Sequence, residues 1–423
     1  MIPLDICIIS SMHPSMNPRV VKEADALTAA GYTVGLIAPD FSARWRDMDE
    51  EFTNRPWRIL ERPQFGPLSR RGARAAELAR RLVAGLAVRH FGVGHPAAVL
   101  AAHHPIAPAL VTAARRHRAR LYLAHITPAL PAAALAAAHH GAAYAFDAED
   151  FHAGELPDTP ANGIANRLIH SIEAKYLPGC AYITAASPGI ADAYARTYNI
   201  RRPVVVLNAF PRARAPKTWT ERGTASPSPS IYWFSQTIGA DRGLQSAVRA
   251  LALSKVKPHL YLRGNPAEGA VEELLSIAGN VSVSENVHIL PIAQPYQMEA
   301  LASAYDVGLC SEIGHTRNRE IALANKQFTY FLAGIPALMS DIPAHRLFAP
   351  EADGAVEIFG ANDPASLASA IDSTLGDAVR LAGMRRAAWQ LGQAKFNAEI
   401  ETERICGVVK TVIRPFRAAV RAL

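Results

Sequence analysis

Cysteine is scarce. Four occur in 423 residues, at positions 7, 180, 310 and 406, and none is spaced from another as a CxxC pair. That excludes a disulfide framework and a zinc ribbon, and it reads as reduced, buried thiols of a cytoplasmic protein. Long apolar runs are missing too. The most lipid-like stretch, residues 129–138, is Ala-rich, broken by Pro131 and far shorter than the roughly 20 residues a spanning helix needs. The opening IPLDICIIS contains an acid and runs into a polar loop, so it reads as a first strand and not as a signal peptide. No membrane crossing is expected. Aromatics are 7% of the chain and do not interleave with its basic stretches, and no RNA- or DNA-binding motif is present, so no nucleic-acid partner is expected either.

What is present is the composition of a globular protein, half apolar and 19% charged. At 423 residues the chain exceeds one core, since single cores stop growing at roughly 250 to 300 residues, and two domains are expected. The net charge of +7 is uneven. Arg70, Arg71, Arg74, Arg80, Arg81 and Arg89 crowd one helical segment beside Leu82, Val83, Leu86 and Phe91. Arg115, Arg116, Arg118 and Arg120 follow. Lys410, Arg414, Arg417 and Arg421 mark the end beside Val412, Ile413, Phe416 and Val420. Each cluster alone reads as a solvated face, but together they suggest a surface resting on anionic lipid, peripheral on the inner membrane face.

Apolar runs alternate with helical patterns in both halves. Residues 2–10, a helix over 20–30 ending at Gly31 and a strand over 32–38 predict a βαβ opening. Short strands are expected at 120–124, 181–186 and 204–207, and then 211–229 loses periodicity and is rich in Pro, Arg, Ser and Thr. The expected organisation is therefore an N-terminal domain over 1–210, a linker over 211–229, a C-terminal domain over 230–395 and a final helix with a basic tail over 396–423. Strands at 230–235, 260–262, 287–290 and 305–311 place polar loops at their ends. In a doubly wound sheet, ligands bind beyond the strand C-termini, where helix starts offer free N–H groups to phosphates.

The candidate residues sit at those ends. His13, Asn17 and Arg19 occupy the first loop, and a plain polar loop with a Pro18 helix start is the bland alternative. Residues 142–155 deliver Glu149, Asp150 and His152 onto one loop, too many ionisable groups for packing alone. Glu149 or Asp150 would take a proton from a substrate hydroxyl, unless it caps the next helix. In QTIGADRG, Arg242 with Gly243 offers a fork for phosphate oxygens and Gln236 an uncharged hydrogen bonder. Arg263 and Gly264 are expected in the loop after the 260–262 strand. Glu312 follows the 305–311 strand in a polar loop, and Asn325, Lys326 and Thr329 form the polar stripe of the helix after it.

The run NKQFTYFLAGIPALMSD preceded by YDVGLCSE resembles the donor-site signature of glycosyltransferase family 4, retaining sugar transferases of the GT-B fold. The resemblance implies an α/β protein of two Rossmann-like doubly wound domains facing across a cleft, with a closing helix that returns to the first domain. It implies transfer, with retention, from a nucleotide diphosphate sugar to a glycan or lipid-linked glycan. Two positions depart from the pattern. Thr329 stands where the family places the second glutamate of its pair, which holds the nucleotide ribose, and Gln236 stands where it places an arginine. The histidine usual near residues 149 and 150 is also replaced by those acids, with His152 only nearby. No paired acids suited to magnesium occur at the donor loops. Arg242 and Lys326 are therefore expected to stabilise the departing diphosphate without a metal or other cofactor. A catalytically inert GT-B-fold binding module and a GT-B nucleotide-sugar 2-epimerase are the rival readings.

Overall fold

The computed structural model describes residues 4–65, 71–221, 223–225, 227 and 229–414. It divides into two compact units, one of Met1–Ala186, Ile190–Val206 and Thr402–Leu423, the other of Ser187–Gly189 and Leu207–Glu401. Arg70, Phe416, Arg417, Val420 and Arg421 lie outside the described residues.

The first unit is built on seven parallel strands, β1 (Leu4–Ser10), β2 (Val34–Ile37), β3 (Arg58–Glu61), β4 (Ala119–His125), β5 (Ala143–Ala148), β6 (Ile183–Ala185) and β7 (Val204–Val205), in the order β3-β2-β1-β4-β5-β6-β7. Every residue of β1 is buried, as a central parallel strand covered on both faces requires. Its register places Ile6 between Val34 and Leu121. The first crossover helix, Pro18–Ala29, buries Val20, Ala24 and Leu27 at positions i, i+4 and i+7 against Ile6, Ile8 and Leu36. Full burial of side chains such as Ile8 and Leu36 contributes roughly 1.5–3 kcal/mol each. Cys406, Val409 and Ile413 complete this core. Cys7, Cys310 and Cys406 are buried, and all four cysteines are free thiols.

The second unit repeats the design with six parallel strands, β8 (Ser230–Ile238), β9 (His259–Pro266), β10 (Val287–Leu290), β11 (Val307–Cys310), β12 (Ala337–Ser340) and β13 (Val356–Phe359), in the order β10-β9-β8-β11-β12-β13. The Leu244–Leu253 helix buries Leu244, Val248 and Leu251 against Ile231, Trp233 and Leu262. In both sheets the chain starts in the middle, winds outward to one edge and then restarts on the other side. The strand order therefore reverses between β1 and β4 and again between β8 and β11, and loops leaving such a strand pair diverge to leave a crevice.

Three local expectations are corrected. β8 runs to Ile238 across a bulge between Phe234 and Thr237, so Gln236 is an exposed strand residue and not part of the loop. β9 runs to Pro266, so Arg263 and Gly264 lie within a strand. The extension of both strands is possible because residue 264 has no side chain: a Cβ there would lie 2.6 Å from the Ser235 carbonyl oxygen. Third, the helix expected after Glu312 is broken. A short helix, Arg317–Ile321, is capped by Thr316, whose hydroxyl accepts from the Arg319 N–H at 3.2 Å. Ala322 then turns extended before the Lys326–Ala333 helix begins. Among the described residues no single helix is long and apolar enough to cross a membrane. The Pro96–His103 and Ala107–Arg116 helices meet that test only as a pair bent by 111°.

Candidate functional site

In the second unit the loop after β8 is fastened to the end of β11. The Ser311 hydroxyl donates to the Arg242 carbonyl at 2.7 Å. Gly243 adopts φ 70°, and a Cβ on it would stand 2.1 Å from the Ser311 carbonyl oxygen. Positive φ and close approach together demand glycine. The Leu244–Leu253 helix starts at this point, so the N–H groups of its first turn have no intrahelical partners. Arg242 extends beside that turn with its side chain 24% exposed, and its nearest acid is Asp241 at 3.4 Å.

One residue past Ser311, Glu312 accepts from the Lys326 ammonium at 2.5 Å. Both side chains are largely buried, and the ammonium also lies 5.6 Å from the centre of the Trp233 ring. Burial opposes ionisation of Glu312, but Lys326 first and His345 second outweigh it and hold the carboxyl down to about 2. His345 Nδ1 donates to the Ser340 carbonyl at 2.7 Å, and burial lowers its pKa. The Ser340 hydroxyl donates to the Glu312 carbonyl at 2.6 Å, which fixes the loop to β12. Lys326 is thus an ion-paired lysine at a helix start, with exposed Asn325 at the N-cap position.

Two other sequence candidates are held by the fold. The Arg263 guanidinium donates to the Tyr232 hydroxyl at 2.8 Å and to the Pro291 carbonyl at 2.5 Å, and the residue is 8% exposed. Thr329 is fully buried and its hydroxyl donates to Glu299 at 3.3 Å.

In the first unit a charged network fills the crevice between β1 and β4. Asn17 caps the Pro18–Ala29 helix, its Oδ1 accepting from the Arg19 and Val20 N–H groups, while its Nδ2 donates to Glu149 at 2.6 Å. Arg19 grips Asp147 with two donors, at 2.5 and 2.8 Å, and gives a third to the Val206 carbonyl at 2.9 Å. That fork holds Asp147 down to about 2 against the opposing effect of burial. His125, at the end of β4, lies between carboxylates. Its Nδ1 is 2.9 Å from Glu149 and 3.4 Å from Asp147, and its Nε2 is 2.9 Å from Glu23. Burial disfavours the imidazolium, yet these acids prevail and push His125 up to about 10.

Two acids and the imidazole, Glu23, Asp147 and His125, therefore merit a metal test. Glu23, His125 and Asp147 each offer an atom within 4.8 Å of the others, close enough for an ion. Yet both Asp147 oxygens are already taken, by the Arg19 fork and by the Thr184 hydroxyl at 2.5 Å, which leaves that carboxylate poorly placed to ligate. Glu149 is the accessible member of the network, 18% exposed, with Oε2 not engaged by Asn17 or His125.

The remaining candidates lie apart from this network. His152 is buried, its Nδ1 2.7 Å from Glu155, and that acid pushes it up to about 9 although burial works the other way. Asp150 is half-buried, and its carbonyl accepts from the Tyr194 hydroxyl at 3.2 Å. His13 bonds on both ring nitrogens, with Nδ1 2.8 Å from Asp49 and Nε2 accepting from the Phe41 N–H at 3.3 Å. Sequence reasoning did not single out His125. A lone histidine ending the apolar run ARLYLAH reads as a core residue, and only the adjacency of β4 to β1 shows it at a crevice.

No family model matches this chain, and no curated protein matches it in sequence. Solved structures do. HepE of Anabaena in complex with UDP aligns with a TM-score of 0.68 at 14% identity, over 96% of this chain and 100% of that one, and HepE has also been solved with UDP-glucose. Sucrose-phosphate synthase of Thermosynechococcus elongatus aligns with a TM-score of 0.69 at 12% identity, over 96% and 98%. A glycosyltransferase from Rickettsia africae aligns at 0.63 and 13%, over 97% and 99%. What is shared at such identities is architecture: the chain has the two-domain α/β GT-B fold of these glycosyltransferase neighbours.

Proposed function

We propose that the chain is a glycosyltransferase that moves a sugar from a nucleotide diphosphate sugar to a glycan or lipid-linked glycan, with retention and without a divalent metal. One observation carries the reading. At the strand-order reversal of the second sheet, Arg242, the start of the Leu244–Leu253 helix and the Lys326–Glu312 pair are brought to one edge by the Ser311 bond to the Arg242 carbonyl. A diphosphate leaving group needs positive charge and N–H donors where its own charge develops. Arg242 supplies a partly exposed fork, the helix start supplies backbone donors, and Lys326 is ion-paired with Glu312 at 2.5 Å.

In the first unit Glu149 takes the acceptor hydroxyl's proton through its unengaged oxygen, while Asn17 and His125 hold the carboxylate in place. Asp150 is the alternative acid on the same loop, with His152 beyond it. Because HepE is solved with UDP and UDP-glucose, uridine nucleotides are the first to test. Calorimetric titration with UDP, GDP and ADP, followed by product mass after incubation with nucleotide sugars and oligosaccharide or lipid-linked acceptors, decides the matter. Absence of nucleotide binding overturns the reading. Binding with neither transfer nor hydrolysis supports the inert module instead. The cytoplasmic, membrane-peripheral placement is part of the same proposal.

A further inference from the structure

We propose that the outward face of the Arg71–Phe91 helix is a docking surface for an anionic lipid bilayer. This names a partner for the lipid-linked-acceptor reading above and rests on that reading for its role in transfer. The helix holds to its unit through Ala84 and Val88, both buried. Its opposite face is apolar. Leu78, Leu82 and Leu86 recur at i, i+4 and i+8 and are 52%, 69% and 53% exposed, with Val83 beside them at 67%. Phe91, at the helix end, is 73% exposed. Of the fourteen most exposed large apolar residues among those described, five lie on this helix, and a contiguous apolar stripe turned to water implies an occupant.

Charge selects the occupant. Arg74, Arg80, Arg81 and Arg89 are all exposed, against the single acid Glu77. Arg74 stands one turn before Leu78, Arg81 next to Leu82, and Arg89 three residues beyond Leu86, so cations border the apolar stripe along its length. An amphipathic helix lying in the membrane plane has this pattern, with apolar side chains among the acyl chains and guanidinium groups at the headgroups. A second copy of the chain would set the same arginines against each other in a two-fold interface. Nucleic acid would leave the leucines unused. At about 1.5 Å per residue the helix offers roughly 30 Å of contact. The other basic stretches are differently placed. Arg116 pairs with Glu61 at 2.5 Å, and Arg120 donates to Asp5 at 2.9 Å and to the Arg414 carbonyl at 2.6 Å, so these guanidinium groups serve the fold.

The test is co-sedimentation of the full-length protein with vesicles of phosphatidylcholine alone or mixed with phosphatidylglycerol. Two double variants are used, Leu82→Ser/Leu86→Ser and Arg81→Gln/Arg89→Gln. The parent is expected to sediment with the anionic vesicles only, and each variant to bind them at least about tenfold more weakly. All the altered side chains are exposed, so melting temperatures stay at the parental value, and UDP affinity measured without vesicles is also unchanged. Failure of the parent to sediment with anionic vesicles overturns the proposal, as does undiminished sedimentation of the leucine variant. A parental dimer lost in the leucine variant overturns it in favour of a second copy. Loss of UDP binding by the parent refutes the nucleotide-sugar reading alone, because sedimentation is scored independently.

Discussion

Replacing His125 by glutamine removes the one cation that lies between Glu23 and Glu149 while keeping a neutral donor in its place. The consequence is a change in how stability depends on pH. His125 is raised from an ordinary 6.5 to about 10 in the folded protein. A raised pKa means that its contribution is complete below about pH 6.5 and is lost as pH climbs through about 10. At about 1.4 kcal/mol per tenfold change in proton affinity, that rise sets a ceiling of roughly 5 kcal/mol. Burial also raises Glu23, so part of the gain belongs to a shared proton. An observed loss of about 2–3 kcal/mol is therefore the reasonable expectation. Amide exchange in β4 reports the first unit without interference from the second and is followed from pH 6.5 to 10, after correction for intrinsic exchange. Parental β4 protection should fall across that window. His125→Gln should start lower and stay nearly flat, apart from the smaller fall that His152, raised to about 9, imposes on both proteins. Equal losses in parent and variant would show that His125 is not the charged centre of the crevice.

Arg242→Ala should weaken UDP binding about tenfold or more by calorimetry while leaving the melting temperature unchanged, since the side chain makes no short ion pair in the fold. Gly243→Ala should destabilise the second unit by at least about 2 kcal/mol in urea, because φ 70° and the 2.1 Å approach to Ser311 both oppose a side chain. Lys326→Met alone leaves Glu312 buried without its cation and should cost about 3–5 kcal/mol, and adding Glu312→Leu should restore much of that loss. With Glu312 held at about 2, its contribution is present above about pH 4.5 and is lost as the pH falls through 2, so acid titration of the parent should show a transition that Glu312→Gln lacks.

The strand-helix alternation was readable because central parallel strands are continuous apolar runs and the helices between them repeat at 3.6. The 287–290 strand stands where patterning places it. What patterning could not supply was the behaviour of polar residues at strand ends. Gln236 and Arg263 look like loop residues in sequence, yet β8 and β9 extend through them because Gly264 permits close backbone approach. The candidate site divides in the same way. Asn17 and Glu149 were singled out as residue types and meet at 2.6 Å. The partner of Lys326 was not foreseen: Glu312 lies fourteen residues earlier, and only the return of the chain from β11 to the next helix places them together. His125 needed the sheet order itself.

The two crevices share a topology and differ in charge, and the proposed function reads that difference as a division of roles. Between β1 and β4, Glu23, Asp147 and Glu149 face Arg19 and His125, three acids against two cations, and Glu149 is the accessible group. A diphosphate brought there would meet a carboxylate first. Between β8 and β11 Glu312 is paired with Lys326 and the exposed Asp241 stands 3.4 Å from the Arg242 guanidinium, two acids against two cations beside a helix start. Under the proposed function, the helix start and its two cations suit the second unit to the anionic half of a nucleotide sugar, and the acid excess suits the first to a neutral hydroxyl whose proton must be accepted. The discriminating measurement is anion competition: pyrophosphate should compete with UDP and lose affinity in Arg242→Ala, while Glu149→Gln should leave that competition intact and reduce only the transfer rate.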